Sequence, residues 1–530
     1  MKKKLSKIVI LSTLFTLFIS CTGSFDDINE NPLKSTTLDP ELVLPYVEWG
    51  ATNIYWDTYQ LGVATIIPYA QYLSSEDDGD RYMYRDGYTT SGLWLPYYTR
   101  VLKNVKKVAE VVKNQPESTR TLQLLRIMNA YNTASITDDY GDIPYSDAGT
   151  GNGQAKYDTQ KDVYYNIFKE LTDAVNILSS DLKNQKVIPS DADYIYDADF
   201  AKWIKFANSL RLRYAIRLSF IDPNKAKEEG EAALAAGIMS SVTDEATIHT
   251  DNEDWNNLGY PLMVLCNWNW FRASTTFINI LENTSSVTDP REELYLGKTK
   301  LYVTQKEGPA YQGVPNGFPA DQSTALGTGY NNDETSNVYG LMFFPDWNSK
   351  GINPQDTNPW LSKRYPLMHY SEVCFLKAEA ALRGWNGAGD AESNYIEGIK
   401  TSLIESRDGI NSTLYDSSKD EVYITSGNVA WNNADNFEAK LKKIITQKWI
   451  AIFPMAEEAW AEFRRTGYPD LQPVLQCSEP TLKKGEFIKK ILYPDEERRN
   501  NTVNATAKTL NNGQGDGANV RVWWDTGRCK

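Results

Sequence analysis

The chain has 530 residues, of which 12% are aromatic and 23% are charged, and its formal net charge is −14. This length allows two or three domains, or one long helical array around a large core. Because the chain is acidic and has no basic cluster after its first seven residues, it should repel phosphate backbones, and we expect no nucleic-acid partner.

The first 20 residues have the pattern of an export signal. Four lysines within residues 1–7 precede an apolar run from Ile8 to Ile19, which is too short to span a bilayer. The run ends at Ser20 and Cys21, a small residue followed by a thiol. This pattern fits an ordinary cleaved signal with an incidental cysteine, and it fits a bacterial lipoprotein whose Cys21 thiol is diacylated. We favour the lipoprotein, with a signal peptide over residues 1–20 and an acidic tether over residues 21–37.

The body of the chain, residues 38–530, contains many segments in which apolar residues recur every three or four positions. This spacing predicts amphipathic helices. In chain order they cover residues 38–72, 94–113, 122–137, 159–182, 199–219, 224–236, 370–383, 391–406, 436–453 and 457–464. Thr159 and Asp162 have the spacing of a capping box at the start of the fourth helix. Asn224 is predicted to cap the sixth helix, and Gly237 to follow its last residue.

Several side chains on these helices are predicted to lie in the core. The tryptophans Trp94, Trp203, Trp449 and Trp460 fall on helical patterns, and Cys374 lies in an apolar one. The cysteines after Cys21 are far apart and show no CxxC spacing, so they predict no zinc site. Helices joined in pairs by short turns are typical of tetratricopeptide arrays, but the sequence has no clean 34-residue repeat.

Between Met239 and Tyr370 the helical periodicity is absent. The segment is rich in asparagine, glycine, proline and aromatic residues. A gap of this length inside a helical protein is usually functional, or it contains short strands. We therefore divide the body into a helical scaffold, at about 94–237 and 370–465, and an irregular ligand-binding region, at about 239–369.

Several segments, taken together and in this order, resemble one protein family, the SusD-like (SusD/RagB) nutrient-binding lipoproteins of the Bacteroidetes outer membrane. Any one of the segments is a weak signal, but the ordered set is specific. The segments that carry the resemblance are Phe25–Pro32, Thr137–Ala148, Lys202–Arg213, Tyr370–Ala380, Gln447–Phe453, Trp460–Pro469 and Tyr493–Pro494.

The resemblance implies a mainly α fold, with degenerate tetratricopeptide-like helix pairs as scaffold and long irregular ligand-binding insertions. It also implies a lipid-anchored protein exposed at the cell surface of the outer membrane. Such proteins bind oligosaccharides, or in some cases peptides, and pass them to a SusC-type TonB-dependent transporter. They are not enzymes, and their binding residues vary too much within the family to be transferred by position.

Aromatic rings interleaved with amides and arginines are the candidates for ligand binding. Sugars stack on flat aromatic faces, and amides, carboxylates and arginines hydrogen-bond to the hydroxyl groups. The alternative is that these rings pack loops onto the scaffold, since most large aromatic side chains are buried. The candidates are Arg81, Tyr82, Tyr84 and Tyr88 in the N-terminal part, and Asn267, Trp268, Trp270, Arg272 and Trp347 in the irregular region.

Two acidic clusters and an arginine pair have structural interpretations. Thr137–Ala148, with its three aspartates, is interpreted as a helix end followed by a turn. The loop Ser74–Asp80 would suit a structural calcium ion through Glu76, Asp77, Asp78 and Asp80, but we favour a solvated acidic loop and expect no cofactor. Arg464 and Arg465 are expected to pair with acidic residues of the scaffold, with a role at the transporter as the alternative.

Catalysis has little support in the sequence. The only histidines are His249 and His369, and the HExxH, GxSxG and P-loop patterns are absent. A surface glycoside hydrolase remains an alternative, because the chain has 69 carboxylates and many pairs of them could serve. We expect a binding protein rather than an enzyme.

Overall fold

The computed structural model describes residues 38–50, 66–75, 78–149, 153–248, 271–318, 333–338, 340–342 and 364–529. The chain divides into two units, Met1–Asp39 and Pro40–Lys530. The larger unit is mainly helical, which confirms the predicted fold class. No helix among these residues is both long and apolar enough to cross a membrane.

The longer helices form the scaffold. They are α1 (Pro40–Gly50), α2 (Lys103–Val112), α3 (Thr119–Tyr140), α4 (Gln160–Leu178), α5 (Phe200–Arg217), α6 (Pro223–Ala236), α7 (Thr275–Asn283), α8 (Tyr370–Leu382), α9 (Ala391–Arg407), α10 (Phe437–Ala451) and α11 (Ala456–Thr466). Neighbouring helices in the chain pack against each other, as α3 does on α4, α5 on α6 and α8 on α9. In this tetratricopeptide-like arrangement each amphipathic helix buries its apolar face on the next one.

Short helical turns lie between and after these helices. The α-helical ones are Ile66–Tyr69, Asp86–Thr89, Glu292–Tyr295, Lys300–Gln305, Asp420–Ile424, Asp495–Asn500, Thr502–Ala505 and Leu510–Gly513. The π-helical turns are Thr90–Trp94 and Tyr97–Leu102, and the 3-10 turns are Asp78–Arg81, Pro116–Ser118, Ser190–Ala192, Val242–Asp244, Ser412–Leu414 and Ser417–Lys419. The helical stretch predicted for residues 94–113 therefore begins eight residues earlier, at Asp86, and continues through π-turns into α2.

Among the described residues, four short strands form two antiparallel pairs, and three of these strands lie in the region predicted to be irregular. The strands are β1 (Leu73–Ser75), β2 (Ala246–Ile248), β3 (Phe271–Ala273) and β4 (Tyr365–Met368). β1 pairs with β3, and β2 pairs with β4. Both pairs join residues that are more than 100 positions apart in the sequence, so they hold the described irregular segments to their neighbours.

The helix caps confirm one prediction and correct another. The Thr159 side chain accepts a hydrogen bond from the Asp162 backbone at the start of α4, as the capping box requires. The cap of α6 is Asp222 rather than Asn224, and its side chain accepts from the Lys225 backbone. The reason is Pro223, which has a helix-compatible φ and no N–H to satisfy, and so occupies the first helical position.

The core contains the side chains predicted for it. Trp94, Trp203, Trp449 and Trp460 are all buried, with exposures between 0% and 5%, and Cys374 is also buried. Aromatic rings extend this core, as in the cluster of Tyr72, Trp449, Phe277, Phe453 and Tyr295.

A buried network of ion pairs joins α5, α8, α10 and α11. Arg213 of α5 binds Glu372 of α8 at 2.6 Å, and the network continues through carboxylates of α11. Arg465 binds Glu379 and Glu462, each at 2.7 Å. Further members include Arg217, Lys448 and Glu458, all buried. The structural pairing predicted for Arg465 is thus confirmed, and it fastens four scaffold helices to one another.

The segment Thr137–Ala148 is a helix end and a turn, as predicted. α3 ends at Tyr140, and Gly141 follows with a φ of +81°. Asp138 is buried and accepts hydrogen bonds from the Tyr164 hydroxyl and the Trp524 indole. Arg464 of α11 donates to the Asp138 backbone carbonyl at 2.6 Å, which links the end of α3 to α11.

Candidate functional site

The N-terminal aromatic segment, residues 81–88, splits into buried and accessible side chains. Tyr82 is 1% exposed, and its ring packs edge-on against Tyr69 with 5.5 Å between the ring centroids. Burial raises the pKa of its hydroxyl well above the usual value. Tyr82 is therefore a core ring, and we remove it from the candidate ligand residues.

Arg81, Tyr84 and Tyr88 are only partly buried and stay candidates. The Tyr84 hydroxyl donates to Asp86 at 2.8 Å, and the guanidinium of Arg498 lies 5.5 Å from the centre of its ring. These contacts fix the orientation of the Tyr84 ring. Arg85 lies 5.6 Å from the centre of the Tyr88 ring, so an arginine and a tyrosine are already placed together at this surface.

The pairing of β1 with β3 brings the N-terminal segment next to the irregular region. Ser74 is opposite Arg272 in the register of this pair. Arg272 is 7% exposed and donates a hydrogen bond to the Phe271 carbonyl, so most of its surface is used by the fold. The two groups of candidates that the sequence suggested separately are therefore connected through this pair of strands.

Asp80 is the centre of a buried polar junction beside this sheet. Its carboxylate accepts hydrogen bonds from Ser74 at 3.0 Å, from Asn316 at 2.6 Å and from the Gly317 backbone at 2.6 Å. Burial raises the pKa of Asp80 to about 7, although the hydrogen bonds act in the opposite direction. The prediction of a solvated acidic loop is wrong for Asp80, because partners from distant parts of the chain enclose it.

Position 317 in this junction requires a glycine. Its φ is +80°, and a Cβ atom would lie 2.7 Å from the Leu475 backbone nitrogen. The backbone nitrogens of Leu475 and Gln476 donate to the carbonyls of Asn316 and Gly317, and Ser478 donates to the Arg81 carbonyl. The junction therefore joins the N-terminal, irregular and C-terminal parts of the chain.

Five of the predicted positions lie outside the described residues. They are the lipidation candidate Cys21 and the ligand candidates Asn267, Trp268, Trp270 and Trp347. In the sequence, Trp270 is followed directly by Phe271, the first residue of β3.

A groove of about 740 Å³ runs between α7 and α10. The residues that face it recur every three or four positions on each helix, for example Asn279 and Asn283 on α7 and Lys442 and Thr446 on α10. Two such rows, facing each other across a gap, form the walls of an open channel. A loop that includes Trp431 closes one side.

The charges along this groove are balanced. Lys442 pairs with Asp470, and Lys443 pairs with Asp435 at 2.8 Å. The remaining polar lining consists mostly of amides and hydroxyls, including Asn279, whose side chain forms no hydrogen bond with the described part of the protein. Such a lining suits an uncharged ligand with many hydroxyl groups better than an ion.

Trp431 is the aromatic platform of the groove. It is half-buried and lies against Tyr395, with 5.2 Å between the ring centroids, and its indole N–H donates to Asn433 at 3.0 Å. The sequence prediction did not include this residue. The signal was present, because Trp431-Asn-Asn433 repeats the tryptophan–amide pattern of Trp255-Asn-Asn257.

Comparison with known proteins places the chain in a family. Residues 57–525 match the family described as SusD-like, SusD and RagB outer membrane lipoprotein. A chitin-binding SusD homologue from Flavobacterium johnsoniae is 26% identical; the match covers 92% of this chain and 98% of that one, with a TM-score of 0.74. A SusD homologue from Bacteroides ovatus is 27% identical, with coverages of 93% and 99% and a TM-score of 0.72.

A third solved structure, a chitin-binding protein, is 25% identical, with coverages of 92% and 100% and a TM-score of 0.76. A search of curated proteins gave no significant match. The family match spans most of the chain. This chain belongs to the SusD-like family of outer-membrane lipoproteins.

Proposed function

We propose that this protein binds a nutrient oligosaccharide at the cell surface and delivers it to a SusC-type TonB-dependent transporter in the outer membrane. The observation that carries the proposal is the likeness to a chitin-binding SusD homologue over 92% of the chain at 26% identity. The lipid on Cys21 would hold the protein at the membrane, and no catalytic step is part of this function.

The chemistry of the accessible residues supports a sugar ligand. Tyr88 with Arg85, and Trp431 with its neighbouring amides, each combine an aromatic face with hydrogen-bonding groups. Trp268, Trp270 and Trp347 supply further rings in the irregular region. Burying one such ring against a sugar contributes about 1.5–3 kcal/mol, so three rings contribute about 4.5–9 kcal/mol, compared with about 8 kcal/mol for micromolar binding.

Calorimetry against a panel of oligosaccharides and peptides tests the ligand class. We expect chito-oligosaccharides or another neutral glycan to bind and peptides to show no heat of binding. Affinity for peptides alone would overturn the sugar assignment. Release of shorter sugars from a polysaccharide by the pure protein, abolished by one carboxylate substitution, would overturn the binding-only role.

Tryptophan substitutions locate the site. We expect Trp268→Ala, Trp270→Ala or Trp347→Ala to weaken glycan binding by about 10- to 100-fold, while Trp431→Ala tests the groove between α7 and α10 separately. Tyr46→Ala is the matched control, because Tyr46 is 47% exposed on α1. Full affinity in all four tryptophan variants would contradict an aromatic binding platform.

The transporter partnership has its own test. Mild detergent extraction of native membranes, followed by purification of this protein, should recover a TonB-dependent transporter of the SusC type. Deletion of the gene for that transporter should stop glycan uptake but leave glycan binding at the cell surface intact. Purification without any transporter would count against the delivery role, and the sugar-binding role would remain to be judged by calorimetry.

A further inference from the structure

A cavity of about 470 Å³ opens beside the start of α8 and the end of α9. Its ionisable lining is more acidic than basic. The acidic members are Asp197, Glu245, Glu405 and Asp408, and the basic members are Lys202 and Arg364, with His369 beside them. An excess of carboxylates in a partly enclosed space attracts cations.

Three side chains from separate elements converge at the wall of this cavity. Glu245 directly precedes β2, His369 is the residue before α8, and Glu405 lies in the last turn of α9. Their ligand atoms all lie within 4.8 Å of one another, and His369 Nδ1 is 3.4 Å from Glu245 Oε2. Zinc–nitrogen and zinc–oxygen bonds are about 2.0–2.2 Å, so movements of less than about 1 Å would bring all three groups onto one ion.

Existing hydrogen bonds orient the two glutamates, and Glu405 also accepts one from the Ser371 hydroxyl. Glu245 accepts from the Tyr370 backbone at 3.1 Å, and Glu405 accepts from the Ser371 backbone at 2.8 Å. In the described part of the chain, Glu405 forms no ion pair with a lysine or arginine.

The site is also reachable from solvent. The side chains of His369 and Glu245 are 14% and 15% exposed, and the cavity leaves room beyond the three ligand atoms. Metal sites that bind or exchange a ligand typically have three protein ligands and one open coordination position. One imidazole with two carboxylates suits zinc-like ions, whereas calcium prefers six to eight oxygen ligands.

We propose that Glu245, His369 and Glu405 bind a divalent transition-metal ion of the zinc class, with a coordination position open to the cavity. The ion joins the start of β2, the start of α8 and the end of α9. This site is separate from the loop Ser74–Asp80, where the sequence suggested calcium, and it does not depend on the glycan-binding proposal.

Zinc titration by calorimetry tests the proposal on the full-length protein, purified without a histidine tag and treated with EDTA. We expect one zinc ion per chain and an upward shift of the melting temperature. Glu405→Gln and His369→Ala should each weaken binding by at least about 10-fold. Glu421→Gln, on the exposed face of a short helix, and Cys477→Ser, at an exposed thiol, should bind zinc like the wild type.

Three results would overturn the proposal. The first is the absence of a one-to-one zinc site, and the second is wild-type affinity in both Glu405→Gln and His369→Ala. The third is a calcium affinity equal to that for zinc. Since Glu405 also holds the start of α8, each variant's melting temperature is measured in EDTA, and Glu245→Gln replaces any variant that does not fold. Anomalous diffraction at the zinc edge should then place the ion within bonding distance of His369 Nδ1.

Discussion

Arg465 offers a sharp test of how the scaffold is held together. The side chain is fully buried in the ion-pair network. It donates to Glu379 at 2.8 and 2.7 Å, to Glu462 at 2.9 and 2.7 Å, and to the Ser219 hydroxyl at 3.2 Å. Substitution by methionine keeps an unbranched side chain of similar helix propensity, but it shortens the side chain and removes the charge and all of these bonds.

The size of the destabilisation follows from the ion pairs that remain in the variant. Glu379 keeps Arg383 at 2.7 Å, and Glu462 keeps Arg217 at 2.6 Å, so neither carboxylate is left alone. Breaking a buried pair from one side nevertheless costs about 3–5 kcal/mol. Unfolding entropy of about 2.1 cal/mol/K per residue amounts to about 1 kcal/mol/K for a chain of this size, so Arg465→Met should lower the melting temperature by about 3–5 °C.

The pH dependence gives the prediction a second readout. Burial alone would raise the pKa values of Glu379 and Glu462, but Arg465 and neighbouring cations outweigh burial and lower both. A lowered carboxyl pKa stabilises the fold above the unfolded pKa of about 4.3, and this contribution is lost as the pH falls through the folded pKa. The difference in melting temperature between wild type and Arg465→Met should therefore be largest at pH 7 and become smaller below about pH 4.

Differential scanning calorimetry at several pH values measures both effects. Lys113→Met is the matched control, because Lys113 and its partner Glu110 are 65% and 71% exposed, and it should shift the melting temperature by less than about 1 °C. If Arg465→Met melts within 1 °C of the wild type at pH 7, the network does not hold the helices together in the way described.

Three further predictions concern the junction, the helix packing and the anchor. Asp80→Asn should remove a pH dependence of the unfolding free energy of up to about 4 kcal/mol. The reason is that the raised pKa of Asp80 stabilises the wild type fully below about pH 4, and this stabilisation is lost as the pH rises through about 7. A variant whose stability in calorimetry still falls between pH 4 and 8 as steeply as that of the wild type would contradict this. Gly230→Ala should destabilise the protein by about 1–3 kcal/mol in calorimetry, because its Cβ would lie 2.1 Å from the Trp385 ring. The control is Gly87→Ala, whose Cβ would meet nothing within 4 Å and which should be nearly neutral. Equal effects of the two substitutions would refute the packing argument. Cys21→Ala should move the protein from the membrane to the soluble fraction, and persistent palmitate labelling of this variant would count against the lipid anchor.

The sequence predicted the parts of the fold that depend on neighbouring residues. The spacing of Thr159 and Asp162 reports a local hydrogen bond, and the period of apolar residues reports which face of a helix is buried. These signals placed most scaffold helices to within a few residues, but they missed α7, which lies inside the segment predicted to lack helical periodicity. The start of α6 was predicted too late in the sequence, because Pro223 determines the first helical position more strongly than Asn224 signals a cap.

What the sequence could not supply is the identity of distant partners. Asp80 has the sequence surroundings of a solvent-exposed carboxylate, but Asn316 and Gly317 bury it from more than 230 positions away. Glu245, His369 and Glu405 are separated by 124 and 36 positions, so no spacing rule brings them together. Tyr82 and Tyr88 carry the same side chain in one aromatic run, and only the tertiary fold separates a core ring from an accessible one.

The junction around Asp80 has a consequence for cleavage of the chain. Three widely separated stretches are hydrogen-bonded to each other there, since Ser478 donates to Arg81 at 2.7 Å and Leu475 donates to Asn316 at 2.9 Å. A protease that cuts between these stretches would break the covalent chain but not these bonds. Nicked molecules should therefore migrate as fragments in a denaturing gel and still elute at the intact mass on a sizing column. The protein should thus remain assembled after cuts that would separate a chain of independent domains.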